Sequence, residues 1–90
     1  MKELHKIFKT LSDQSRLEIL CCMEDGPKSV SQIIASTALS QPLVSFHLKV
    51  LREAGLIVAQ RKSTIVLNEL SSPQIITILE GVRKLCADKK

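Results

Sequence analysis

Four side chains able to hydrogen-bond with base edges and phosphates recur along one short stretch of the chain, at the spacing of a single helix face. They are Gln41, Ser45, Lys49 and Arg52. Residues three and four apart are neighbours on a helix, so these four would form one row. Amide and hydroxyl groups can read base edges in the major groove of DNA, and positive charges can bind phosphates. The row therefore predicts a DNA-reading face, to which Ser40 and Pro42 belong at the start of the helix.

A second polar cluster follows at residues 60–64, between two short runs of β-branched and aliphatic residues. Two strands around a polar, basic tip are typical of a β-hairpin, although this tip lacks the Gly or Asn that tight turns favour. We expect the tip to contact DNA through Arg61, Lys62, Ser63 and Thr64. Val44, Leu48 and Leu51 form an apolar stripe on the same predicted helix as the row, which we call the reading helix. His47 lies beside this stripe, and its position is consistent with either a base contact or a packing role.

The chain also has three cysteines, Cys21, Cys22 and Cys86, whose thiols could react with oxidants or bind a soft ion. An odd number argues against a closed disulfide framework, and the lack of an export signal indicates a cytoplasmic protein with reduced thiols. Three roles stay open at this point: packing on apolar helix faces, a thiol switch, and a three-thiolate site for As(III) or another soft ion. Adjacent cysteines on a helix point about 100° apart, which makes it awkward for Cys21 and Cys22 to share one ion.

The apolar pattern predicts the elements that carry these residues, five helices and two strands. The helices are expected over 4–11, after Asp13, after Ser29, from Ser40 to Gly55, and after Pro73, and the strands over 56–59 and 65–67. Helix 2 has one apolar row with Cys21 and another with Cys22, so we expect it to be buried at the centre of the domain. The third and fourth helices, joined by a short turn, make a helix-turn-helix.

The last helix carries an apolar stripe with the 3-4 spacing of a coiled-coil seam, far from the reading helix. Its members are Ile75, Ile78, Leu79, Val82, Leu85 and Cys86. A small domain buries only a modest core, and a second copy would supply additional burial. We therefore expect a single domain, residues 1–90, that forms a homodimer through residues 1–12 and 73–87.

The net charge of +4 lies entirely in the middle of the chain, because residues 26–68 hold five basic residues and one acidic residue. A local basic patch is the electrostatic footprint of a DNA-binding surface. A hydrophobic content of 44% excludes disorder. No apolar run is long enough to span a bilayer, so we do not expect a membrane among the partners. The sequence has no Gly-rich phosphate loop, no Cys-x-x-Cys pair and no nucleophile with an obvious base, so we expect neither an enzyme nor a cofactor.

Two segments, LSDQSRLEIL at 11–20 and ALSQPLVSFHLKVLREAGLI at 38–57, resemble the ArsR/SmtB family of repressors, and the resemblance extends over residues 4–86. It implies a mainly α, homodimeric winged helix-turn-helix with four helices, a two-stranded wing and a fifth helix. It also implies a repressor that leaves its double-stranded operator DNA when an inducer binds. The rival interpretation is a winged helix that docks proteins, but such a helix would usually present apolar anchors in place of the polar front of helix 4.

The resemblance narrows the choice of inducer without identifying it. The family's Cys-x-Cys metalloid site would fall at 29–33, where serines replace both cysteines, and its Asp/His site on the last helix finds no His in 73–90. Some members sense oxidants or reactive sulfur through a cysteine in helix 2 and one near the end of the last helix. Cys21 and Cys86 resemble that pair. A thiol switch is thus our interpretation, with a soft-metal site of Cys21, Cys22 and Cys86 as the alternative.

Overall fold

The computed structural model describes residues 2–88, which form five helices and one antiparallel hairpin. These elements are α1 (Lys2–Leu11), α2 (Gln14–Cys22), α3 (Val30–Thr37), α4 (Gln41–Glu53), β1 (Ile57–Lys62), β2 (Ile65–Leu70) and α5 (Gln74–Asp88). The order confirms the predicted winged helix-turn-helix. Residues 1, 89 and 90 of the predicted domain lie outside the described residues. Within 2–88, every helix is too short or too polar to span a bilayer.

Side-chain caps explain where three of the helices begin. The Asp13 carboxylate accepts a hydrogen bond from the backbone N–H of Arg16 at 3.0 Å, and α2 starts at the next residue. Ser29 and Gln32 form a reciprocal capping box at the start of α3. The Ser40 hydroxyl caps α4 in the same way as Asp13 caps α2. Each cap satisfies a backbone donor that the first turn of a helix leaves free, which confirms the predicted helix starts.

The core lies where α2, α3 and α4 meet the base of the hairpin and the start of α5. Its buried members are Ile19, Leu20, Met23, Ile33, Val44, Leu48, Leu51, Leu56, Ile57, Ile75 and Leu79. Helix α2 was expected to be buried on both apolar sides, and this is only half right. Ile19 and Leu20 are fully buried, but Cys21 is exposed. The core covers Leu20, which shares the row of Cys21, and Ile19 of the other row, but it does not reach Cys21 itself.

Helix α5 reaches the core through only part of its predicted apolar seam. Ile75 and Leu79 are buried, whereas Ile78, Val82 and Leu85 are about half exposed or more, at 48, 51 and 64%. Every residue from 80 to 87 is exposed, on all sides of the helix, so the core covers only the first part of α5. The expectation of one seam with six members is corrected: two members pack in the core of the protomer and the other four are exposed.

The hairpin is longer and its turn tighter than the sequence predicted. Lys62 pairs with Ile65, so the strands extend through residues 60–62 and the connecting loop is only Ser63 and Thr64. Ser63 has a φ of +59°. A positive φ at the first of two loop residues is the pattern of a type II′ turn, which closes a hairpin without splaying its strands. At the base, the backbones of Asn68 and Lys28 exchange hydrogen bonds of 2.7 and 2.8 Å, which anchor β2 to the loop before α3.

Candidate nucleic-acid interface

The turn between α3 and α4 aims the reading helix. Helix α3 ends because Ala38 adopts the left-handed conformation, with a φ of 61°, and its N–H donates to the Ile34 carbonyl at 2.9 Å. The Thr37 hydroxyl accepts a hydrogen bond from the backbone N–H of Leu39 at 3.3 Å. One residue later Ser40 caps α4. The chain therefore changes direction within residues 38–40, and the short turn between two capped helices is that of a helix-turn-helix.

The apolar stripe of α4 faces the core and leaves the donor row on the surface. Val44, Leu48 and Leu51 are at most 3% exposed. The exposed residues at the predicted reading positions of this helix and its cap are Ser40, Gln41, Pro42, Ser45, Lys49 and Arg52. Among residues 2–88, the side chains of Gln41, Ser45, Lys49 and Arg52 have no hydrogen-bond or ion-pair partner. Their donors are therefore available to an external ligand.

His47 does not belong to this exposed surface. It is 7% exposed, and its Nδ1 atom is buried without a hydrogen-bond partner among the described residues. Its ring packs edge to face against Phe46, with the ring centroids 5.3 Å apart. Of the two roles that the sequence left open for His47, its burial supports packing and not a base contact. The reason is its place between Val44 and Leu51, which turns it toward the core.

Two apolar residues on the exposed part of α4 add to the candidate interface. Phe46 is 55% exposed and Leu43 is 47% exposed, so both lie outside the stripe that packs on the core. Leu43 was not among the residues predicted from the sequence to contact DNA. The signal was present, since Leu43 precedes Val44 and a step of one residue turns the helix by about 100°.

The wing residues predicted to contact DNA, Arg61, Lys62, Ser63 and Thr64, are all exposed. Arg61 and Lys62 are consecutive in β1 and therefore lie on opposite faces of the hairpin. The central charge excess is smaller at the surface than the sequence suggested, because Lys28 forms an ion pair of 2.7 Å with Asp25. The four remaining basic residues of this region lie on α4 and β1, and these two elements pack together. The positive charge is thus concentrated around the reading helix and the wing.

The structure also reveals a thiol site that involves a residue the sequence did not connect to it. Arg83 of α5 donates from Nη2 to the Cys21 sulfur at 3.0 Å and from Nη1 to Glu24 at 3.2 Å. The hydrogen bond to Glu24 raises the pKa of the Arg83 guanidinium above its already high value, and the hydrogen bond to Cys21 adds a smaller increase. The sequence offered no basic neighbour for Cys21, since Arg83 lies 62 residues away along the chain. It did place Arg83 near Cys86, three residues before it.

The three cysteines have different surroundings. Cys21 and Cys86 are exposed, whereas Cys22 is half-buried. Burial raises the pKa of the Cys22 thiol, and a hydrogen bond with Ser36 opposes this in part. No group of three or more potential ligands that could hold a metal ion occurs within residues 2–88. The protomer therefore does not assemble the soft-metal site that Cys21, Cys22 and Cys86 were considered to form.

Comparison with known proteins agrees with this geometry. A family model described as bacterial regulatory protein, arsR family, matches residues 13–58. The transcriptional activator HlyU of Vibrio cholerae is 32% identical over 79 residues, covering 88% of this chain and 73% of that protein. The biofilm growth-associated repressor of Xylella fastidiosa is 31% identical over 91 residues, covering 98% of this chain and 78% of the repressor.

A similar fold occurs in a solved structure from Mycobacterium bovis. It is the homodimeric winged helix-turn-helix DNA-binding domain of a possible ArsR-family regulator, with a TM-score of 0.88. The match covers 97% of this chain and 81% of that domain, at 22% sequence identity. At this sequence identity the comparison establishes the fold alone. That fold includes the helix-turn-helix and the wing described above.

Proposed function

Because the chain belongs to the ArsR family and is a DNA-binding transcriptional regulator, we propose that it works as a homodimeric repressor that a thiol signal releases from its operator. The family and the fold are those of DNA-binding regulators rather than enzymes. The observation that carries the DNA part is the exposed row of side-chain donors on α4 without partners in residues 2–88, beside a stripe buried to 3% or less. In this proposal α4 lies in the major groove and the wing holds the adjacent backbone.

Exposed apolar side chains at the two ends of the chain support the homodimer. Leu4 and Phe8 of α1 are 49 and 63% exposed, and Ile78, Val82 and Leu85 of α5 are similarly open. Large apolar side chains exposed in such number are typical of an interface with another protein. The related domain from Mycobacterium bovis is homodimeric. A two-fold dimer would present two α4 helices to DNA half-sites about 34 Å apart, or a multiple of that distance.

Two matched substitutions test the reading surface on an operator selected from random duplexes or from the region upstream of the gene. Gln41→Ala should relax the preference for particular bases, with a loss of about 1–3 kcal/mol per missing contact. Arg61→Ala should weaken binding on all sequences alike and reduce the dependence of affinity on salt. A Gln41→Ala protein with unchanged base preference would remove Gln41 from the readout, and binding without any sequence preference would refute the operator proposal.

The thiol part of the proposal rests on how α2 and α5 meet. Arg83 bonds to the exposed Cys21 sulfur, and Cys86 follows Arg83 by one helical turn on an exposed part of α5. A two-electron oxidant such as diamide would take two electrons and two protons from the two thiols, leaving a Cys21–Cys86 bond. That bond needs α-carbons within about 7 Å, in one protomer or across the dimer. The bond would shift α5, which lies in the proposed dimer interface, relative to α4. The distance between the two α4 helices of the dimer would then no longer match the DNA half-sites.

Release from DNA on oxidation tests this part. Wild-type protein and Cys22→Ser should leave the operator when diamide is added and return when dithiothreitol is added. Cys21→Ser and Cys86→Ser should stay bound. In the cytoplasm, where we expect the protein to act, the thiols are reduced at rest. A Cys86→Ser protein that still leaves DNA on oxidation would show that the proposed pair is not the switch.

A further inference from the structure

Leu43 and Phe46 form an apolar patch on a helix whose other exposed residues, apart from Pro42 in the first turn, are polar. They are 47 and 55% exposed, and they lie three residues apart, so they are neighbours on α4. Lys49 continues the same line by three more residues. The patch therefore lies beside the donor row, on the N-terminal two turns of the reading helix. In a helix-turn-helix this is the part of the helix that reaches base edges.

The Phe46 side chain and the Leu43 backbone are each held by a neighbouring residue. The Phe46 ring packs against the buried His47 ring at an interplanar angle of 64°. The backbone N–H of Leu43 donates to the Ser40 hydroxyl at 3.4 Å, within the cap of α4. The ring contact limits the freedom of the Phe46 side chain before any ligand binds, and the cap fixes the backbone from which Leu43 projects. Less conformational entropy is then lost on binding than for a mobile apolar side chain.

The major groove offers one apolar group among its donors and acceptors, the 5-methyl group of thymine. We propose that Leu43 and Phe46 read thymine 5-methyl groups beside the bases that the donor row contacts, so that each operator half-site requires thymine at these positions. This inference rests on the proposed DNA-reading function and specifies the chemistry of the operator. It also assigns His47 a positioning role, because its ring supports that of Phe46.

The electrostatic surroundings favour DNA over a protein as the occupant of this patch. Lys49 and Arg52 lie on the same helix without an ion-pair partner in residues 2–88, and Arg61 and Lys62 lie on the adjoining strand. A protein anchored on Leu43 and Phe46 would also have to satisfy these charges and the neighbouring amide and hydroxyl groups. Duplex DNA provides the methyl groups, base edges and phosphates together.

Replacing thymine by deoxyuridine tests the inference, because it removes the methyl group and keeps base pairing. Each thymine of the selected operator is replaced in turn, and the dissociation constant is measured for the full chain. We expect a loss of about four-fold per methyl group that an apolar side chain buries. Phe46→Ala and Leu43→Ala should bind the thymine operator more weakly and should each lose discrimination at one of the sensitive positions.

Val58→Ala is the matched control, because Val58 is a 42% exposed apolar residue on β1, outside α4. It should keep the full discrimination between thymine and deoxyuridine. Circular dichroism should show all three variants folded, since each truncates an exposed side chain. Specific binding with equal affinity for every deoxyuridine operator would overturn the inference while leaving the proposed function intact. Discrimination that survives in both Phe46→Ala and Leu43→Ala would overturn it as well, and failure of the wild type to select any duplex would overturn the proposed function itself.

Discussion

At the scale of single residues, Asp13 links the stability of α2 to pH. Its carboxylate accepts the backbone N–H of Arg16, and this bond is the main reason that its pKa is lowered in the folded chain. A pKa that is lower in the folded state than in the unfolded state means that folding stabilises the ionised carboxylate. The stabilisation is therefore present above the ordinary pKa of aspartate, and it is lost as the pH falls through the folded value.

Asp13→Asn should reduce the loss in the free energy of unfolding as the pH falls into the acid range, because asparagine can cap a helix but cannot ionise. Asp13→Ala should lower the free energy of unfolding at neutral pH by about 0.5–2 kcal/mol. Urea unfolding at fixed protein concentration, at pH 7 and near pH 3.5, measures both effects. If Asp13→Asn loses as much stability between these pH values as the wild type, Asp13 does not contribute to the loss at acid pH.

The three thiols should differ in reactivity. Burial raises the pKa of the Cys22 thiol and restricts access to it, whereas Cys21 is exposed. Alkylation proceeds through the thiolate, so Cys22 should react slowly and should need a higher pH than an exposed thiol. Single-cysteine proteins, made by replacing the other two residues with serine, allow each rate to be measured with iodoacetamide. Equal rates for Cys21 and Cys22 across pH would contradict the burial of Cys22.

At the scale of elements, the wing depends on a strained two-residue turn. Ser63 holds a φ of +59°, which costs a side-chain-bearing residue energy that glycine does not incur. Ser63→Gly should therefore stabilise the protein by a few tenths to about 1 kcal/mol. Thr64 is not among the residues with positive φ, and Thr64→Gly should destabilise, which makes it a matched control. A thermal unfolding series would contradict this account if the two substitutions had the same sign.

At the scale of the whole molecule, two residues on one helix should have opposite roles. Val82 is 51% exposed and Leu79 is 6% exposed, although they are only three residues apart on α5. Val82→Glu should give a folded monomer, because it places a charge in the proposed dimer interface. Leu79→Glu should instead unfold the protomer, because the charge would enter the core. Sedimentation and circular dichroism together distinguish these outcomes, and a Val82→Glu dimer would move the interface elsewhere.

What the sequence determined by itself is local. The caps at Asp13, Ser29 and Ser40 marked three helix starts, since a cap and its backbone partner lie within three residues of each other. The stripe of Val44, Leu48 and Leu51 separated the inner face of α4 from the donor row for the same reason. Periodicity within one element is sufficient for such assignments, and the family resemblance followed from these same segments.

What only the tertiary structure decided depends on residues far apart in the chain. Helix α2 is apolar on two sides, and the packing of its neighbours left Cys21 outside, where Arg83 meets it from α5. The seam of α5 divided between core and surface because the domain covers only the first part of that helix. His47 is buried, and its ring packs against that of Phe46. Periodicity identifies the faces of a helix, but which face is covered depends on contacts between elements that sequence spacing does not encode.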